Sequence, residues 1–139
     1  MKKGLALLLT LVFSTSVWAA LPPQPERCPA LDLIKQGDFV TIQKSSDGTY
    51  GALMLTKFDT KEMWGFIIAE IPAVSTQDAA AKAKAALNSL TWLSGPDYFS
   101  SGNIWACVYS VEAGYPVLAL TPLPAQARSA HDTSTWLLH

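Results

Sequence analysis

Residues 63–90 read MWGFIIAEIPAVSTQDAAAKAKAALNSL, and the change of period inside this stretch decides the fold class. Met63–Ile71 is rich in aromatic and β-branched residues and stops at Pro72, which cannot donate to a sheet ladder. Alternation along a strand puts Trp64, Phe66 and Ile68 on one face and Gly65, Ile67, Ala69 and Ile71 on the other. From Ser75 the apolar spacing becomes helical, with Ala79, Ala83, Leu87 and Leu90 on one side. Ser75 with Asp78 three residues on resembles a capping box, Asp replacing the usual Glu or Gln. The run is rich in alanine, the best helix former, whose small side chain lets a helix lie close to a sheet. One long helix is therefore expected over Ser75–Leu90, directly after a central strand.

Upstream, Phe39–Lys44 alternates, Ser45-Ser46-Asp47-Gly48 signals a turn and Tyr50–Thr56 resumes in β character. With a second turn at Phe58–Glu62, these strands and Met63–Ile71 make a meander. Pro29–Lys35 fits a short helix, with Leu31 and Ile34 on one side and Gly37 as its stop. Downstream, Ser94-Gly95-Pro96 marks the exit from the long helix. Tyr98 and Phe99 then fall in a surface loop ahead of Ser101-Gly102, well placed to touch a partner. Ile104–Ser110 and Tyr115–Thr121 form a hairpin around Glu112-Ala113-Gly114. The expected architecture is α+β: an antiparallel sheet of about five strands, the main helix on one face, and a short N-terminal helix.

The best strands are apolar on both faces, whereas an antiparallel strand with one wet face should be polar there. One helix covers only part of one face. Either the sheet curves around its own core, or the N-terminal segment, a second copy of the chain or a ligand covers the rest.

The chain ends differ from this body. Lys2 and Lys3, the apolar Gly4–Phe13 and the small residues of Val17-Trp18-Ala19 read as a signal peptide over residues 1–19. The exported chain would carry a net charge near −3, too little basic surface for nucleic acid. No later stretch has the ~20 apolar residues that span a bilayer. Residues 20–27, with Pro22, Pro23 and Pro25, read as an extended leader. Residues 28–121 form the single domain, and 122–139 read as a tail, small and polar until Trp136-Leu137-Leu138. Periplasmic or secreted localisation is expected, with the oligomeric state left open.

Cys28 and Cys107 are the only cysteines. An even count behind a signal peptide favours a disulfide, in preference to metal or haem ligation by a free thiolate. Catalytic signals are missing: both histidines, His131 and His139, fall in the tail, the carboxylates are scattered, and no nucleophile, zinc or phosphate-loop motif occurs. A non-enzymatic protein that requires no cofactor and holds no structural metal is expected. The aromatic residues remain as candidates for a flat apolar site.

Several pieces in order resemble a small family of exported proteins from intracellular Gram-negative bacteria. They are Cys28-Pro29, Phe58-Asp59-Thr60-Lys61 before Trp64-Gly65-Phe66, the alanine-rich 78–90 helix, Gly95-Pro96, Trp105-Ala106-Cys107-Val108-Tyr109 and Ala119-Leu120-Thr121-Pro122. That family is labelled a domain of unknown function and includes a member described as hemin-binding. The resemblance implies an exported binding protein with hemin as ligand, and carries no iron-ligand motif with it. With no histidine in the body, Tyr, Met or Cys remain as iron ligands there. Tyr98, or His131 if the tail folds back, is expected ahead of Met54 and Met63, which read as core, and apolar and aromatic contacts would hold the porphyrin. The alternative is a protein-interaction factor, an inhibitor or host-directed effector, using an exposed apolar sheet face or the Tyr98–Phe99 segment.

Overall fold

The computed structural model describes residues 21–123. They form one antiparallel six-stranded sheet with two helices. Helix α1 spans Leu31–Gln36 and is followed by strands β1 (Thr41–Lys44), β2 (Tyr50–Thr56) and β3 (Trp64–Ile71). Helix α2 (Thr76–Ala86) runs into a 3-10 turn at Leu87–Ser89, after which come β4 (Thr91–Phe99), β5 (Ile104–Ser110) and β6 (Val117–Thr121). The strand order is β1-β2-β3-β6-β5-β4. Two three-strand meanders are thus joined side by side through β3 and β6, with β1 and β4 at the free edges.

The expected meander, long helix and C-terminal hairpin are all present. The sheet has one strand more than expected, because Thr91–Phe99 is a strand rather than a helix exit and loop. Gly-Pro usually punctuates a chain, but an edge strand tolerates proline at a bulge. Register shifts between Trp92 and Ser94 and between Ser94 and Asp97 place Gly95 and Pro96 in such an irregularity. Gly95 has a φ of +110°, and a Cβ there would lie 2.6 Å from the Ala106 carbonyl oxygen, so the residue is glycine for two reasons.

Helix α2 begins as its sequence indicates. The Ser75 hydroxyl accepts the Asp78 backbone N–H at 3.0 Å, and the Asp78 carboxylate accepts the Val74 N–H, also at 3.0 Å. This second bond holds the Asp78 carboxyl below its ordinary range, with Lys82 adding to the effect. The stripe Ala79, Ala83, Leu87 and Leu90 is buried, together with Ala86, against the half of the sheet made by β1, β2 and β3. Alanine at the contact lets the backbones approach closely. The α-helix is shorter than the expected span because its last turn tightens to 3-10 geometry, and Leu87 and Leu90 still reach the core.

The core on this side also takes Tyr50, Met54, Trp64, Phe66, Ile68, Tyr109 and Val117. Ile71 belongs to it too, although simple alternation assigns it to the opposite face. Glu70, at a φ of +56°, breaks the alternation and turns Ile71 inward, opposite Tyr50. The other half of the same face is covered by the N-terminal segment. Cys28 is disulfide-bonded to Cys107 on β5, with Cα atoms 5.9 Å apart, and α1 buries Ile34 in the same core. Residues 21–27 run on along the sheet, with the Pro22 carbonyl accepting the Trp105 indole N–H at 3.0 Å. No helix among the described residues is long and apolar enough to cross a membrane.

Candidate functional site

Recesses of the described surface include three that the N-terminal segment helps to line. The first is a polar cleft of about 260 Å³ between Glu26-Arg27 and the Asp59–Glu62 turn. Its geometry serves the turn itself. Phe58 and Asp59 take left-handed backbone conformations, and the Arg27 guanidinium donates to the Asp59 carbonyl. The Thr60 hydroxyl accepts the Trp64 indole N–H at 2.9 Å and donates to the Lys57 carbonyl at 2.7 Å. The exposed Lys61–Glu26 pair at 3.4 Å adds little in water. These groups satisfy one another and fasten the N-terminal segment to the β2–β3 turn.

The second recess is a groove of about 420 Å³ between the N-terminal segment and β4. Glu26, Arg27, Cys28, Pro29, Ala30 and Leu31 line one wall, and Trp92, Gly95 and Pro96 the other. The wide β4 irregularity lies on one side of it, and the disulfide ties the N-terminal wall to β5, the strand paired with β4. Trp92 is 51% exposed at its margin, an expensive placement for the largest apolar side chain. The third recess, of about 400 Å³, is mainly apolar and lies where Pro22 and Pro23 meet Met63, Pro122 and Leu123.

The two described candidates from the sequence occupy neighbouring positions on β4 but do not act together. Tyr98 pairs with Trp105 and Phe99 with Ile104, so their side chains project to opposite faces. The Tyr98 ring lies 5.3 Å from the Trp105 ring, tilted by 56°, and its hydroxyl donates to the Asn103 side-chain oxygen at 2.6 Å. Phe99 is 43% exposed. Neither sits in a free loop: the turn starts only at Ser100. His131 lies outside the described residues.

These positions bear on iron. The Cys28 sulfur is committed to Cys107 and offers no thiolate. Tyr109 is buried with its hydroxyl donating to the Pro29 carbonyl at 2.8 Å, and burial pushes its pKa upward, away from the phenolate that would bind a ferric ion. Met54 is fully buried, whereas Met63 is half-exposed in the apolar recess. Among the described residues no three His, Cys, Asp or Glu side chains converge as a metal site would require. The groove instead offers an indole face, proline and leucine surface, and a guanidinium beside a carboxylate, Arg27 and Glu26. Those groups suit a flat, largely apolar ligand.

Residues 91–97 were the part of this site least legible in the sequence. Trp92 and Leu93 follow the helix directly and read as its end, and the groove forms only when β4 pairs with β5. Comparison with protein-family models, with curated proteins and with solved structures gave no match to this chain.

Proposed function

We propose that the chain is an exported, non-enzymatic binding protein that takes its ligand in the groove between Cys28–Leu31 and β4. The observation that supports this reading is Trp92, a large apolar ring left half in water beside a concave surface. Hemin is the ligand that the family resemblance suggests. Its flat face would stack on Trp92, while its carboxylates would gain little from Arg27, which donates to the Asp59 carbonyl and stands beside Glu26. The macrocycle would supply most of the binding energy, because no groove residue is an available iron ligand.

Titration of the purified exported chain with hemin tests the proposal. A saturable shift of the Soret band is expected, with affinity falling about tenfold in Trp92→Ala, the order of one lost stacking partner. Tyr98→Phe and His131→Ala, alone and combined, should leave most of the affinity. Loss of the shifted band in either would assign the iron to that residue. A flat titration of the parent overturns hemin. The second reading then stands, a protein partner on the free β4 edge. It is favoured by Leu93, 57% exposed, and by Phe99 on the same strand.

A further inference from the structure

The face of the sheet opposite α2 carries a second apolar cluster: Leu53, Ile67, Ala69, Ile104, Ala106 and Leu120. Side chains on an uncovered sheet face touch their neighbours along and across the strands but keep their tips in water. Here Leu53, Ile67, Ile104, Ala106 and Leu120 are at most 1% exposed. Among the described residues, Leu123 is the one hydrophobic side chain from outside the sheet in this cluster. A single leucine does not bury five side chains spread over four strands.

Leu123 also shows where the cover comes from. It crosses Gly65 on β3, where a Cβ would stand 2.7 Å from the Leu123 Cδ1 and 3.5 Å from the Leu53 Cδ1. The described chain therefore ends on this face, already seated in it. Sixteen residues follow, of which the first twelve are small or polar and the next three are Trp136, Leu137 and Leu138. From Leu123 to Trp136 an extended chain reaches about 43 Å, whereas six strands span only about 24 Å. The apolar end can thus reach any part of the face. Residues 1–20 are the other segment outside the described range, and the exported chain is expected to lose all of them but Ala20.

We propose that the C-terminal segment 124–139 docks on the sheet face opposite α2, its Trp136, Leu137 and Leu138 packing over Leu53, Ile67 and Leu120. The sheet is then sandwiched between α2 with the N-terminal segment on one side and the chain's own C-terminal segment on the other. Pro124–Thr135 serves as the polar strap that carries the apolar end across.

The test is made on the exported chain, residues 20–139, with labelled methyl groups. Nuclear Overhauser cross-peaks are expected from the Trp136 ring to methyls of Leu53, Ile67 and Leu120, at the same intensity on tenfold dilution. Their absence overturns the proposal. So does their appearance only between differently labelled copies in a mixed sample, which would assign the face to a second chain. In a second measurement, Trp136→Ser with Leu137→Ser and Leu138→Ser should raise the fluorescence of a bound apolar dye several-fold while the far-ultraviolet circular dichroism stays that of the parent. Unchanged dye binding would also overturn it. Neither readout involves hemin or the β4 groove, so this proposal and the proposed function fail separately.

Discussion

The Tyr109 hydroxyl donates to the Pro29 carbonyl at 2.8 Å across 80 positions of sequence, two residues along β5 from the Cys107 end of the disulfide. Bond and bridge together pin Cys28-Pro29 to the sheet and so set one wall of the groove.

Tyr109→Phe keeps the ring packed edge-on to Phe66 and leaves the carbonyl of the buried Pro29 unpaired. A loss of about 1–2 kcal/mol is expected in urea unfolding. The variant should also behave differently in alkali. Burial raises the folded-state pKa of Tyr109 above its ordinary 10.0. The unfolded chain therefore releases this proton near pH 10 while the folded chain keeps it. The resulting stability is whole below pH 10 and declines as pH rises beyond it. Stability measured from pH 9 to pH 11 should fall less steeply in Tyr109→Phe than in the parent.

The disulfide closes a loop with a sequence separation of 79. Cys28→Ser with Cys107→Ser should cost about 2–5 kcal/mol, because the unfolded chain regains the freedom that the bridge removes. Mass spectrometry of the non-reduced parent after alkylation should find no labelled thiol. Two labelled thiols would contradict the bridge.

Ala83 is fully buried where α2 meets the sheet. Ala83→Glu inserts bulk and a carboxylate at a contact that admits only a methyl group. It should destabilise by about 3 kcal/mol or more, combining overpacking with the burial of an unpaired charge. Ala81→Glu, on the exposed side of the same helix, should leave the denaturant midpoint nearly unchanged. Equal midpoints for the two variants would show that the buried stripe is wrongly placed.

Gly95→Ala tests the β4 irregularity. The backbone there has a φ of +110°, and the new methyl would meet the Ala106 carbonyl oxygen at 2.6 Å and the Cys107 Cα at 2.8 Å. Both obstacles are backbone and cannot swing aside. A loss of at least about 2 kcal/mol is expected, with faster hydrogen exchange concentrated on β4 and the facing half of β5. Gly48→Ala is the informative comparison. It is strained by its positive φ but meets nothing within 4 Å, so it should cost less.

Period and capping made much of the fold legible in the sequence. The alternation in Met63–Ile71, the helical spacing of Ala79, Ala83, Leu87 and Leu90, the Ser75–Asp78 cap and the pairing of two cysteines are local or compositional signals. Each determines its outcome without knowledge of the neighbours. They account for the α+β class, the first meander, the main helix, the last hairpin and the bridge. Tertiary structure decided what those signals leave open. Thr91–Phe99 reads as a break because Gly95-Pro96 opposes regular pairing, yet the β5 edge recruits it, and the mismatch becomes a bulge on one side of the groove. Ile71 turns to the helix side because Glu70 adopts a left-handed conformation, which strict alternation does not anticipate. The place of Trp92 in water and of Tyr98 against Trp105 follows from that same edge pairing. The physical reason is one of range: period, caps and cysteine count act through residues near in sequence or through simple composition. An edge strand and the groove beside it depend on which backbone happens to present unpaired hydrogen-bonding groups after the rest of the sheet has formed.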